Sequence, residues 1–183
     1  MHLIYKMPVW ELLVNDAEKG ARVLVEEYAA RLYATAFRIC LNEKDAEDLV
    51  YRTFSRVVEQ IRSFNGESAF FTWICAILIN FYRMDARRKA ANSLVFVDKL
   101  PELTDARPGP ADELVASDEA EALRKAVSAL PGELRVAIVL HYFADMSVPE
   151  IAKSLEIPDG TVYWRLHEGR KKIREALSKV LRQ

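Results

Sequence analysis

The chain has 183 residues, with 26 Lys and Arg against 27 Asp and Glu, and 51% of its side chains are apolar. That length suits one large domain or two small ones, and the apolar share permits a proper core. A formal net charge of −1 excludes a uniformly basic nucleic-acid binder, so any contact with DNA must come from local patches.

Helical periodicity dominates and no convincing strand alternation is present, so the expected fold class is all-α. The opening decapeptide, MHLIYKMPVW, is too short and too interrupted by Lys6 and Pro8 to be a signal peptide. Residues 16 to 41 read as one or two helices with Val23, Leu24, Tyr28, Leu32, Ala36 and Ile39 inward. Asn42 and Glu43 mark a turn. Asp45 to Arg62 is the next helical element, with Leu49, Val50, Phe54, Val57, Val58 and Ile61 as its core face. A loop follows at 63–68, where Ser68 is placed to cap a helix from Ala69 to Lys89. That helix is aromatic at its start and basic at its end, with four bases and one acid between Arg83 and Lys89. Its longest apolar run, around Trp73 to Ile79, is far below membrane-spanning length. Cys40 and Cys75 lie in apolar helical patterns, with no CxxC, HExxH or Cys/His cluster. They read as buried structural thiols. No metal or cofactor is expected, and a reducing cytoplasm fits.

From about Ala90 to Ser117 the pattern dissolves. Pro101, Pro108, Gly109 and Pro110 punctuate it and acids outnumber bases, as in an interdomain linker. Within it, Leu94-Val95-Phe96-Val97 is apolar enough to dock on a partner or on either domain. Helices resume at Ala120 to Leu130, break at Pro131-Gly132, and continue from Glu133 to Phe143.

The stretch Met146 to Leu177 is the most informative. Ser147 is a good N-cap, with Glu150 at the capping-box position. Ile151, Ala152 and Leu155 form an inward face. Ile157-Pro158-Asp159-Gly160 makes a break, and Pro158 suits the start of a second helix. Val162, Leu166, Ile173 and Leu177 then recur at helical spacing, with Gly169 on the same stripe, while Arg165, Arg170, Lys171, Lys172 and Arg174 lie largely off it. This is the pattern a helix-turn-helix needs to place a helix in the major groove. Taken alone, the segment fits an ordinary amphipathic hairpin equally well. Glu156 occupies the turn position where such motifs often have a left-handed Gly; a non-Gly residue there costs roughly 1 kcal/mol.

Three segments occur in order: DAEDLVYRTF (45–54), FNGESAFFTWICAILIN (64–80) and ALPGELRVAIVLHYFADMSVPEIAKSLEIPDGTVYWRLHEGRKKIRE (129–175). Together they resemble bacterial RNA polymerase sigma factors of the extracytoplasmic-function group. The resemblance implies two small helical domains, at 1–89 and 118–183, joined by a flexible linker at 90–117, the second domain being the helix-turn-helix. It implies core polymerase and promoter DNA as partners, an inhibitory anti-sigma protein as a further one, and no enzymatic activity.

Carried over by position, the resemblance assigns polymerase binding to Asp45, Asp48, Leu49, Val50, Thr53 and Phe54. The downstream promoter element falls to Phe64, Asn65, Gly66, Ser68, Phe71, Trp73, Asn80, Arg83, Arg87 and Arg88. The upstream element falls to Thr161, Tyr163, Trp164, Arg165, His167, Glu168, Arg170, Lys171 and Arg174. Physical chemistry is compatible with these roles. Bases of an opened strand stack on aromatic rings for roughly 1–3 kcal/mol each, although at helical spacing some of Phe70, Phe71 and Trp73 must be core. Arg165 suits guanine and Glu168 suits cytosine, while Arg170, Lys171 and Arg174 suit phosphates. Two promoter elements two helical turns apart lie about 70 Å from each other, and the linker residues span at most roughly 95 Å when extended.

Several positions depart from the family pattern. Tyr51-Arg52 stands where Gln-Glu is common, Ala76 and Ile79 stand where Arg is common after Trp73, and Tyr163-Trp164 replaces a common Lys-Ser. The last change implies an altered upstream-element preference, with Trp164 against a thymine methyl or sugar. Two alternatives compete with the resemblance: a stand-alone helix-turn-helix regulator with an N-terminal sensing or dimerisation domain, and a DNA-rearranging enzyme. No paired carboxylates, nucleophile–base pair or phosphate loop supports the enzyme.

Overall fold

In the computed structural model, which describes residues 7–93 and 118–180, every regular element is helical. Of the expected linker 90–117, residues 90–93 instead continue the helix that precedes it, and 94–117, with the Leu94-Val95-Phe96-Val97 segment, lie outside the described residues, as do 1–6 and 181–183.

Helix α1 (Val9–Asn15) is short, and Asp16 ends it while starting α2 (Ala17–Cys40): the Asp16 carboxylate accepts from the Lys19 N–H at 3.0 Å. Leu41 closes α2 in the left-handed conformation. Asn42 then caps α3 (Glu43–Gln60), accepting from the Asp45 N–H at 2.9 Å. A 3-10 turn at Ile61–Ser63 leads into the exposed loop before α4 (Phe70–Ser93). The second half contains α5 (Asp118–Ser128), α6 (Gly132–Tyr142), α7 (Val148–Leu155) and α8 (Asp159–Val180). The expected capping box is formed: Ser147 Oγ accepts from the Glu150 N–H, and the Glu150 carboxylate accepts from the Ser147 N–H at 2.8 Å. Glu156 is left-handed at φ 54°, ψ 46°, as its place in the turn implied.

The first half packs α1 and α3 on α2, with α4 on α3. Leu24, Leu32, Ile39, Val57, Ile74 and Leu78 are fully enclosed there, each contributing on the order of 1.5–3 kcal/mol. In the second half α8 crosses α5, α6 and α7, and Ile138, Leu140, Met146, Ile151 and Val162 fill the centre. Gly169 lets α8 approach Ile138 closely.

The two halves also touch. α2 lies against α6 and α4 against α7, and the buried apolar residues form one continuous cluster. Two tethered helical groups were expected from the sequence; their docking on each other was not. Helix α1 was also unforeseen, because seven residues between Pro8 and Asp16 are too few for a periodic pattern.

Candidate nucleic-acid and protein interfaces

On α3 the helical repeat divides the six residues that the resemblance assigned to polymerase binding into two sets. Asp45 and Asp48 are exposed, Val50 and Phe54 are half-buried, and Leu49 and Thr53 are in the core. The Thr53 hydroxyl is used locally, donating to the Leu49 carbonyl at 2.6 Å. Leu49 and Thr53 thus set the position of the helix instead of offering surface, since both point at α2 and α4 from its inner stripe. Tyr51, 74% exposed, joins Asp48 on the outer face; the signal for it was its spacing of three from Asp48.

Arg52, whose charge is reversed from the common pattern, has an internal partner. Its guanidinium donates to Asp48 at 2.9 Å and to Asp85 of α4 at 2.7 and 3.3 Å, and it lies 4.5 Å over the Phe81 ring. The hydrogen bonds to Asp85 and then Asp48 push the Arg52 pKa above its ordinary value. Asp45 pairs with Lys89 at 2.8 Å, so α3 and α4 are bridged at two places.

The loop before α4 is supported by aromatic rings. Phe64 packs edge-on to Trp10 and Phe70 (centroids 5.8 and 5.1 Å apart) and lies 5.4 Å from Trp73. Trp10, from the unforeseen α1, is thus part of the loop's platform. Beyond the rings, Asn65, Gly66 and Glu67 are exposed. Gly66 has φ 75° and open space where a Cβ would stand, so backbone can approach a base there. Ser68 is half-buried and its hydroxyl donates to the Ala69 carbonyl at 3.4 Å. Phe71 belongs to the core: it is 5% exposed, stacks on Tyr28 and lies beneath Arg31. It shares the inner stripe with Ile74, Cys75 and Leu78, and so does not face solvent. Ile79 is enclosed as well, which accounts for an apolar residue where the family often has Arg.

Burial pushes the Cys75 thiol up to about 12 and does the same for the half-buried Cys40. Both stay protonated near neutrality and serve packing.

Trp73, Ala76, Asn80, Arg83 and Arg87 follow one another at helical spacing along α4. Asn80, Arg87 and Arg88 are exposed. Arg83 is not free: its side chain is 16% exposed, donates to the Ser154 carbonyl at 2.9 Å and pairs with Glu156.

On α8 the exposed residues line up as Tyr163, Trp164, His167, Arg170, Lys171 and Arg174, the i, i+1, i+4, i+7, i+8, i+11 row of one helix face. Tyr163 and Trp164 are 62% and 55% exposed. Thr161 and Glu168 are half-buried at the edge of that row. Arg165 turns away from it. Its side chain is only 17% exposed and pairs with Glu133 of α6 at 2.8 Å. Its Nε is buried with no hydrogen-bond partner among the described residues. The outward face is therefore led by aromatics and backed by cations, with Arg165 held behind it. His141 serves its own half, its Nδ1–H donating to the Met146 carbonyl at 2.9 Å.

Arg165 also faces an open cleft of about 320 Å³ between the halves, lined by Tyr82 and Arg83 of α4 with Glu133, Val136, Leu155 and Ile157. Around it run further polar contacts. Arg31 of α2 pairs with Asp145 at 2.6 Å. Arg135 of α6 donates to the Ile39 carbonyl at 3.2 and 3.3 Å, and its burial lowers its pKa from the ordinary arginine value. The pairing with Arg83, reinforced by Arg87, holds the Glu156 carboxyl below the usual range.

Comparison with known proteins converges on one family. The profile of sigma-70 region 2 matches residues 24–92, and that of sigma-70 region 4 matches residues 120–173. The chain is 34% identical over 160 residues to the ECF RNA polymerase sigma factor SigE of Mycolicibacterium smegmatis, covering 85% of this chain but 61% of the length of that protein. It is 28% identical over 188 residues to the ECF RNA polymerase sigma factor SigW of Bacillus subtilis, covering 97% of this chain and 98% of the relative. Among solved structures, the sigma factor RpoE of Bartonella quintana, in complex with the anti-sigma factor NepR, shares the fold with a TM-score of 0.65 at 23% identity, over 90% of this chain and 98% of that one. Two matched regions in the expected order, on an all-helical framework that ends in a capped helix-turn-helix, make the chain a member of the sigma-70 family of RNA polymerase sigma factors, in its extracytoplasmic-function group.

Proposed function

We propose that this chain is an alternative, non-enzymatic sigma factor of the bacterial cytoplasm that binds core RNA polymerase, reads both promoter elements and promotes strand opening. Residues 1–89 hold the polymerase contact and the downstream reading loop, 90–117 form the bridge, and 118–183 read the upstream element. An anti-sigma protein is a further partner, of the kind that accompanies RpoE of Bartonella quintana. The observation that carries this reading is the solvent-facing row on α8, aromatic at its N-terminal half and basic beyond. Base edges are read from that half of a recognition helix, and phosphates are held from the other.

Transcription by core polymerase from a promoter library, with and without the chain, tests the proposal; no promoter-dependent product would sink it. The outer face of α3 is tested by Asp48→Arg. Arg52 keeps Asp85 in that variant, so the fold persists, while pull-down of core polymerase should weaken at least about tenfold. Full retention would remove α3 from the interface. On the reading helix, Trp164→Ser should change base preference at one or two upstream positions by about 1–3 kcal/mol, measured by selection on randomised duplexes. An unaltered preference would take Trp164 out of base reading.

A further inference from the structure

Helix α1 lies outside the segments matched by the sigma-70 profiles, which begin at residue 24, yet it reaches the downstream loop. Packing seats it. Val9 and Leu13 are buried, and the missing side chain of Gly20 lets the α1 backbone come down on α2. That seat carries Trp10 to Phe64, with the two rings edge to face at 5.8 Å. Phe64 also lies 5.1 Å from Phe70 and 5.4 Å from Trp73, and both of these belong to α4, the helix that the loop enters. Tyr28 of α2 holds Phe70 in turn, at 5.7 Å. The platform is therefore a row of rings with α1 at one end and α2 at the other. Trp10 is the ring that ties the start of the loop to an element other than α4. The loop's hydrogen bonds are all short-range. The Phe64 N–H donates to the Ile61 carbonyl, the Glu67 N–H to Asn65 Oδ1, and Ser68 Oγ to the Ala69 carbonyl. Among the described residues none of them reaches α1, α2 or α3.

We propose that Trp10 is a positioning residue for promoter opening: it holds Phe64, and through it the 65–67 backbone, in the shape that captures one unstacked base. The inference rests on the promoter-reading function above, which gives this loop to the downstream element. A base drawn out of the stack loses its neighbours, and capture offsets that loss best from a site already in shape. A loop that must first be ordered offsets less of it, because fixing backbone conformation costs free energy. Without the Trp10 ring, Phe64 keeps ring contacts from α4 alone, and the loop is no longer fixed against the α1–α2 pair. An edge-to-face ring pair shifts such an equilibrium by about two- to tenfold. Trp10 acts through Phe64 and not on the base itself. A Trp10 that merely fills space under α1 would affect melting, but not the response to any particular base.

The test uses the full chain with core polymerase on a promoter recovered from the library above, with opening followed by a fluorescent base analogue. Single abasic sites are stepped through the downstream element of either strand. In wild type one abasic position should slow opening at least about fivefold, the effect of losing one stacked base. Trp10→Leu should slow opening of the intact promoter about two- to tenfold. The same abasic site should then cost the variant less than about twofold, because ring and base act as one unit and their losses do not add. Trp10→Phe keeps a ring and should restore both the rate and the abasic response. Trp10→Met repeats the ring deletion with an adaptable chain in the space, should Trp10→Leu melt below the assay temperature. Pull-down of core polymerase should be equal throughout. A ringless variant that opens as fast as wild type overturns the proposal. So does a slow variant that loses as much to the abasic site as wild type does, since Trp10 then only seats α1. Failure of the promoter-reading function is read separately, from the wild-type chain: no opening at all, or no abasic position that stands out, removes that reading and this proposal with it.

Discussion

Gly20→Ala should destabilise the protein by about 2–3 kcal/mol, read as a fall of roughly 4–12 °C in Tm. A Cβ at position 20 would stand 2.5 Å from the Leu13 Cα, 2.6 Å from its N and 2.9 Å from the Leu12 carbonyl carbon. These are backbone atoms, so no rotamer change relieves the clash and α1 as a whole must move. Val9 and Leu13, which α1 buries, would lose their seat, and Trp10 would no longer support Phe64. Hydrogen exchange should show α1 losing protection before the other helices. Gly132→Ala is the control: nothing lies within 4 Å of its Cβ position, so Tm should hold or rise slightly. If Gly20→Ala melts like wild type, α1 does not pack on α2 as described.

The second large effect is expected at Arg52. Arg52→Glu should cost about 2–3 kcal/mol in urea unfolding, the range for losing hydrogen bonds to charged groups. The Arg52 and Asp85 side chains are 26% and 28% exposed, so solvent screens the pair only in part. Reversal places a carboxylate against Asp85 and Asp48 together, and removes the cation over Phe81. Arg52→Glu with Asp85→Arg should recover most of the loss, because the pair is re-formed with its polarity exchanged. A double variant no more stable than the single one would show that the bridge contributes nothing. The departure from the common acidic residue is thus explained by an α3–α4 tie internal to the protein.

The helices of this fold were legible where capping chemistry accompanied periodicity. The Ser147–Glu150 box marks its helix start in the sequence, and the chain begins α7 there; Asn42, read only as a turn, is the cap of α3, which starts at Glu43, two residues before the expected Asp45. The left-handed Glu156 was legible for the same reason, from its place in the turn. Side-chain direction was harder to read. Leu49, Thr53 and Phe71 sit within motif segments, and motif membership does not separate residues that touch a partner from those that hold the helix in place. Arg165 carries the right chemistry for guanine, but Glu133 lies 32 residues earlier in the chain, so nothing local announces the pairing. Beside the shared apolar cluster, the halves are joined through Arg31, Arg83, Arg135, Asp145 and Glu156. In a sequence such residues look like ordinary solvated charges, because only tertiary structure sets their partners.

The aromatic arrangement gives the protein two built-in optical reporters. Trp10 and Trp73 share the ring platform beneath the loop, whereas Trp164 stands in solvent on α8. If the proposed function holds, a protein retaining Trp73 alone should report changes at the platform under the 63–68 loop, and one retaining Trp164 alone should report a duplex covering α8. Stopped-flow fluorescence on the two single-tryptophan proteins would then time upstream capture and strand separation as separate events, with no attached dye.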